Sequence, residues 1–232
     1  MMDCMDKQRI APSPGEPVSR TPLIIAVDGP AASGKGTLAR RLAAHFGLPY
    51  LDTGKLYRAV GWKVLEQGHS PEEMEAAIQA AKTLDPASID AENLLDEKVG
   101  NAASIVSAMP QVRNALLDLQ RKFAYQPQGS VLDGRDIGTV ICPDATVKLF
   151  VTARLDARAK RRFSELRNNG MPVTLEEVAA NLQARDQRDA ARQIAPLLPA
   201  VDAWQIDTSD MGVDEVLEVV LAKMDIILHH QS

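Results

Sequence analysis

The chain has 232 residues, 45% of them apolar and 25% charged, which is the composition of a globular protein and excludes a disordered or fibrous one. A formal net charge of −5 argues against general affinity for phosphate backbones, and two cysteines, Cys4 and Cys142, are too few for a disulfide scaffold or a cysteine-based zinc site. The longest purely apolar stretch, Leu23 to Val27, is far short of the roughly 20 residues a membrane helix needs, so neither a nucleic acid nor a membrane is expected as partner.

Residues 1–20 carry three prolines and no continuous apolar run of secretory length. They read as a disordered tail, and a cytoplasmic location is expected. Order should begin at Leu23, where Leu-Ile-Ile-Ala-Val has the pattern of a strand buried on both faces. Leu38, Leu42 and Phe46 recur at helical spacing up to Gly47, a stop signal. The short apolar run Pro49-Tyr50-Leu51 follows, then a helix from about Thr53 to Glu66, which Thr53 can cap. From Ser70 to Gln126 the pattern is helical. Ser70-Pro71-Glu72-Glu73 reads as a helix N-terminus, and Pro110 opens a helix with Val112, Leu116, Leu119 and Phe123 on one face. Strands resume at Val131-Leu132 and at Val147 to Val151. Helices at about 155–168 and 174–191, a short strand Trp204-Gln205-Ile206 and an amphipathic helix from Val213 complete the chain. Interleaved strands and helices mean an α/β fold with a parallel sheet, into which 53–126 is inserted between two strands.

Directly after the first strand stands Gly29-Pro30-Ala31-Ala32-Ser33-Gly34-Lys35-Gly36-Thr37, a phosphate-binding P-loop in the strand-then-helix context it requires. The glycines let the backbone curl so that N–H groups point inward. The following helix adds its positive end, and Lys35 is placed for the β- and γ-phosphates of a nucleoside triphosphate. Gly36 pushes the hydroxyl residue to Thr37, one place later than in GTPases. A P-loop leaves the reaction open, because the acceptor decides it.

The acceptor side is carried by Leu51-Asp52-Thr53-Gly54-Lys55-Leu56-Tyr57-Arg58, Asn101-Ala102-Ala103-Ser104, Pro110-Gln111-Val112-Arg113, Asp133-Gly134-Arg135-Asp136-Ile137-Gly138-Thr139 and Arg185-Asp186-Gln187-Arg188-Asp189-Ala190-Ala191-Arg192. Together these strings closely resemble the bacterial cytidylate kinases, from about Leu23 to the C-terminal helix. That resemblance implies a three-layer P-loop nucleotide kinase fold with a parallel five-stranded sheet, a mostly helical acceptor-binding insert at 53–126 and a helical lid at about 154–192, all within one domain, 21–232. It implies ATP-dependent phosphorylation of CMP and dCMP by a monomer. Asp136, with Arg113 and Ser104, would read the cytosine, since a carboxylate rewards an exocyclic amine and repels the carbonyl of uracil. Arg58, Arg135 and Arg192 would hold the acceptor phosphate, Asp189 and Arg185 its ribose, and Thr53 and Tyr57 would complete the pocket. Asp52 and Lys55 read as helix-terminal charges.

Residues 154–192 hold eight of the sixteen arginines, nine positive charges with Lys160 against six negative ones. At 100° per residue, Arg154, Arg158, Arg161 and Arg162 fall within an arc of about 100°, as do Arg185, Arg188, Asp189 and Arg192. Two such helices flanking Arg167-Asn168-Asn169-Gly170 look like a nucleotide-kinase lid, which brings guanidinium groups to the transferring phosphoryl. Lys35, Arg135, Arg158, Arg162, Arg185 and Arg192 are the expected catalytic set, and Arg154 and Arg167 read as solvated. The acceptor oxygen is already an anion, so no general base is expected. Mg²⁺ would be held by Thr37 and the phosphates, with Asp133 acting through water. One departure stands out. Many relatives have a small sheet inside the insert, whereas Pro86, Asp90, Asn93 and Gly100 break any strand pattern here, so that sheet should be reduced or missing. The competing readings are another P-loop small-molecule kinase, acting on UMP or of adenylate type, and a regulatory nucleotide-binding module.

Overall fold

The computed structural model describes residues 22–90, 92–94 and 96–229, so the expected tail 1–20, with Cys4, lies outside the described residues. Strand β1 (Ile24–Asp28) is buried along its whole length. Its side chains alternate between faces: Ile25 and Val27 join one apolar cluster, Ile24 and Ala26 another. Helix α1 (Lys35–Phe46) covers the first face through Leu38, Leu42 and Ala43, and stops where Gly47 adopts a left-handed φ of 64°. After β2 (Tyr50–Asp52) come α2 (Thr53–Glu66), α3 (Met74–Lys82), two short helical turns at Pro86–Ser88 and Glu92–Leu94, α4 (Glu97–Val106) and α5 (Pro110–Ala124). These helices share a core around Leu56, Val60, Ala77, Val106, Val112 and Leu116. Between β2 and the next strand no further strand occurs among the described residues.

Two local expectations are corrected. Ser70 does not cap a helix. The Glu73 carboxylate accepts the Ser70 N–H at 2.8 Å and closes a turn, so that α3 starts only at Met74. Nor does Thr53 cap α2. Asp52 does, accepting the Lys55 N–H at 3.2 Å, while the Thr53 hydroxyl donates to the Asp133 carbonyl at 2.8 Å. A carboxylate one residue earlier outcompetes the hydroxyl because its charge also suits the helix N-terminus.

The chain then runs through β3 (Ser130–Gly134), β4 (Val147–Thr152), α6 (Leu155–Asn168), α7 (Leu175–Ala190), β5 (Trp204–Asp207) and α8 (Val213–His229). The sheet order is β2-β3-β1-β4-β5 with every pair parallel. Val216, Val220 and Met224 of α8 complete the layer begun by α1. Ala124 of α5 and a π-type turn at Ile137–Ile141 cover the opposite face, giving three layers. Helices α6 and α7 form a hairpin around Ala159, Leu166, Val178 and Leu182, joined by Ala31 of the P-loop. Among the described residues no helix is long and apolar enough to cross a membrane.

Register places the chemistry. Asp28 pairs with Gly134, and Asp133 pairs with both Val27 and Asp52, so three strands end level with one another. The carboxyl edge of a parallel sheet is where α/β folds bind ligands.

Candidate active site

The P-loop joins β1 to α1 by a tight path. Ala32 and Gly34 take positive φ values of 59° and 89°, and a side chain at Gly29 would run into the Val151 carbonyl. The Thr208 hydroxyl, just beyond β5, donates to the Ser33 carbonyl at 2.8 Å and holds the loop from the other side. The result is a cavity of about 500 Å³ lined by Ala32 to Thr37, Arg161, Arg162 and the start of α8. Gly29, Pro30 and Ala31 build the loop without lining that cavity. Within the loop the Ser33 hydroxyl is buried with no hydrogen-bond partner among the described residues.

Lys35 opens α1 with its ammonium 3.9 Å from the Asp133 carboxylate. Burial pushes the lysine down to about 8, and the Arg135 charge adds to that. Burial lifts Asp133 to about 6, with Asp52 adding and Lys35 opposing. Tyr50 donates its hydroxyl to Asp133 at 2.6 Å. Burial and that neighbour raise the tyrosine well above its ordinary range, so it stays a donor. The edge of the sheet thus presents a buried cation facing a buried carboxylate beside the P-loop.

A second, narrower pocket lies beyond it, of about 70 Å³, lined by Thr53, Tyr57, Arg58, Ser104, Arg113, Arg135, Asp136, Arg185, Asp189 and Arg192. All ten residues expected on the acceptor side therefore share one wall. Arg113, on α5, pairs with Asp136, both buried, and its guanidinium sits 5.6 Å from the Tyr57 ring centre. Asp189, 3% exposed, bridges Arg135 at 2.8 Å and also pairs with Arg192. Burial works against its charge, but Arg135 and Arg192 outweigh that and hold its carboxyl below the usual range. Arg185 lies beside them with a buried Nε that has no partner among the described residues, and burial, Arg135 and Arg58 push it down to about 10, still charged at neutral pH. Several guanidiniums converge here on few carboxylates, which is an anion site in wait. Asp189→Ala is accordingly expected to cost about 3 kcal/mol in a urea melt, because it strands buried cations. Unchanged stability would mean that the bridge carries no such load.

The arginines of α6 do not act as one face. Arg154 is exposed and bidentate to Asp210, and Arg167 is exposed, as expected of solvated groups. Arg158 is corrected. It lines neither pocket, since its guanidinium is committed to Asp186 at 2.6 and 3.1 Å, to the Ala153 carbonyl and to the Ala31 carbonyl of the P-loop. Arg162 lines the donor cavity and pairs with Glu97 of α4 at 2.8 Å and with Glu165 at 3.0 Å. Arg188 reaches from α7 to Ser104 and Asn101, each at 3.0 Å. For a metal, the two expected residues are Thr37, on α1 and lining the first cavity, and Asp133, near the end of β3, both oxygen donors of the kind a hard cation takes. Among the described residues no cluster of three or more histidine, cysteine or carboxylate groups forms a closed metal cage. Sequence reasoning missed Asp28, Tyr50 and Thr208. Asp28 carried a signal, a carboxylate closing a strand otherwise wholly apolar; the other two carried none.

The model of the family described as cytidylate kinase matches residues 25–225. A cytidylate kinase of Xanthobacter autotrophicus is 57% identical over 200 residues, 86% of this chain and 96% of that protein. One of Rhodospirillum rubrum is 53% identical over 211 residues, 89% of this chain and 98% of that protein. One of Granulibacter bethesdensis is 57% identical over 196 residues, covering 84% and 93%.

Proposed function

The chain belongs to the cytidylate kinase family, and on that premise we propose that it transfers the γ-phosphoryl group of ATP to CMP and dCMP, giving CDP and dCDP. The observation that carries the choice of acceptor is the buried Arg113–Asp136 pair on the wall of the narrow pocket. A cytosine presents an amine beside a ring nitrogen and a carbonyl, the donor and acceptors that a carboxylate and a guanidinium complement. Uracil would set a carbonyl against Asp136. Ser104 lies on the same wall, with its hydroxyl already engaged by Arg188. Arg58, Arg135 and Arg192 take the acceptor phosphate; Arg185 and Asp189 take the ribose.

The triphosphate occupies the P-loop cavity, its β- and γ-oxygens facing Lys35 and the backbone N–H groups from Ala32 onward. Arg162 approaches from α6. An oxygen of the CMP phosphate, already an anion, attacks the γ-phosphorus in line, so this chain supplies no base. Its work is positioning and charge neutralisation by Lys35, Arg135, Arg162, Arg185 and Arg192. Arg158 serves the same loop indirectly, by holding the Ala31 carbonyl. Thr37, with Asp133 acting through water, would hold Mg²⁺, which would supply charge neutralisation on the phosphates. Residues 53–126 act as the acceptor-binding insert and 154–192 as the lid, in a cytoplasmic monomer that needs no nucleic acid.

The acceptor pocket distinguishes this reading from a regulatory module, which has no use for a second anion site. A coupled assay of ADP release with CMP, dCMP, UMP and AMP at fixed ATP tests it. Turnover with CMP and dCMP and little with UMP or AMP is expected. ATP binding without cytidylate turnover would sink the kinase reading, and a preference for UMP would sink the role given to Asp136.

A further inference from the structure

Asp28 has no part in the reaction as described above, yet it is a carboxylate, 4% exposed, at the end of the central strand. Its two oxygens accept the backbone N–H groups of Ile137 and Gly138, each at 2.8 Å. Those residues begin the π-type turn Ile137–Ile141, in which the Asp136 carbonyl accepts from Val140 and Ile141 at 2.9 and 3.2 Å. Asp136 itself sits before the turn at φ −147° and ψ 26°, outside the regular helical and extended regions. Beyond the turn's own hydrogen bonds, Asp28 supplies two from another strand, both at the first residues of the turn. The approach is close, since a side chain at Gly138 would press on the Lys148 stem at 3.2 Å and touch the Asp28 carboxylate at 3.4 Å.

We propose that Asp28 is a positioning residue for base selection: by clamping the Ile137 and Gly138 amides it fixes the direction in which Asp136 presents its carboxylate to the acceptor base. The inference rests on the reading of Asp136 as the group that meets the cytosine amine. Two donors converging on one buried carboxylate is a demanding match that an amide cannot reproduce. Asparagine would offer one acceptor and turn an N–H₂ group toward the second backbone donor, leaving both unsatisfied. Burial lifts the Asp28 carboxyl to about 7, and the two backbone amides are the largest of the influences that oppose the rise; Asp136 adds to it and Lys35 opposes it. The clamp therefore also favours the charged form that makes it.

The test is the near-isosteric Asp28→Asn, with Asp28→Ser as a second variant, each assayed with CMP and UMP at saturating ATP and with ATP at saturating CMP. The expected result is a rise of about tenfold in KM for CMP and a loss of about tenfold in the CMP over UMP ratio of kcat/KM, with KM for ATP within about twofold of wild type. A purely structural role would depress CMP and UMP turnover alike and leave that ratio untouched, and such a result would overturn the proposal. So would failure of both variants to melt cooperatively, which would place Asp28 in the stability of the sheet. The wild-type ratio separates the two levels. If the unmodified protein does not prefer CMP to UMP, the role of Asp136 fails first; if it does and Asp28→Asn keeps the preference, the clamp alone fails.

Discussion

Replacing Lys35 by alanine is expected to lower kcat about 10³-fold while the melting temperature moves by only a few degrees. The size of the kinetic effect follows from where the charge sits. Its ammonium lies at the mouth of α1, beside the P-loop and 3.9 Å from Asp133, with the side chain only 12% exposed. A cation fixed in a water-poor site stabilises developing phosphoryl charge far more than a solvated one, and removing one preorganised donor of that sort costs about 10²–10³ in rate. The small thermal effect follows from the same burial. Lys35 is pushed down to about 8 because water has been taken from it, so deleting it also removes a desolvation cost. Asp133 loses its nearest cation, but Tyr50 still donates to it, and a carboxyl already lifted to about 6 takes up a proton readily once the lysine is gone. Lys35→Arg should be nearly as slow, because the planar fork is not a substitute for a compact point charge in this loop. Single-turnover kinetics at saturating ATP and CMP, with a melt of each variant, decide the matter. A fall in kcat of less than about tenfold would remove Lys35 from the phosphoryl-transfer step.

The fold was legible from the sequence because its signals are local. Pro110 and the helical spacing after it give the start of α5, and the apolar runs at Leu23 and Val147 give two parallel strands. Where a local signal met a local competitor, it could fail. Ser70 has the look of a cap, but Glu73 is close enough to take its N–H, and Asp52 stands one residue ahead of Thr53. The site is a harder case, because partners are chosen in space. Helical angles put Arg154, Arg158, Arg161 and Arg162 on one arc, but Arg154 stands before α6, and the angles do not say that Asp186 captures Arg158 or that Glu97 captures Arg162. Tyr50 and Thr208 matter only because distant segments, Asp133 and Ser33, lie against them, and neither residue type is unusual for its place in the sequence. Asp28 could have been found. A buried strand that ends in a carboxylate has to find donors for it, and the nearest unclaimed ones at that edge are backbone amides.

Asp136→Ala is expected to change two quantities by large amounts, and the structure predicts that they can be separated. Base selection should collapse, with the preference for CMP over UMP in kcat/KM falling about 10³-fold, almost all of it through loss of CMP turnover. A pocket built to pair a substrate's amine discriminates by about 10⁴–10⁵ at best, and Arg113 and Ser104 remain on the wall to retain part of that. Stability should fall too, by about 3 kcal/mol, or roughly 10 °C for a chain of this size. The reason is that Arg113, 7% exposed, loses its ion-pair partner and, among the described residues, keeps the Ser107 carbonyl at 3.3 Å and the face of Tyr57. The two losses have different origins. Selection depends on a carboxylate meeting the base; stability depends on not stranding a buried cation. The double variant Arg113→Met with Asp136→Leu should therefore recover most of the melting temperature, since replacing a buried ion pair by apolar groups of similar volume is near neutral. It should recover none of the preference for CMP. If stability and selection return together, the pair acts through the shape of the pocket and the charge of Asp136 reads nothing. If neither returns, the pair is required for packing α5 against the turn after β3, and the base must be read elsewhere.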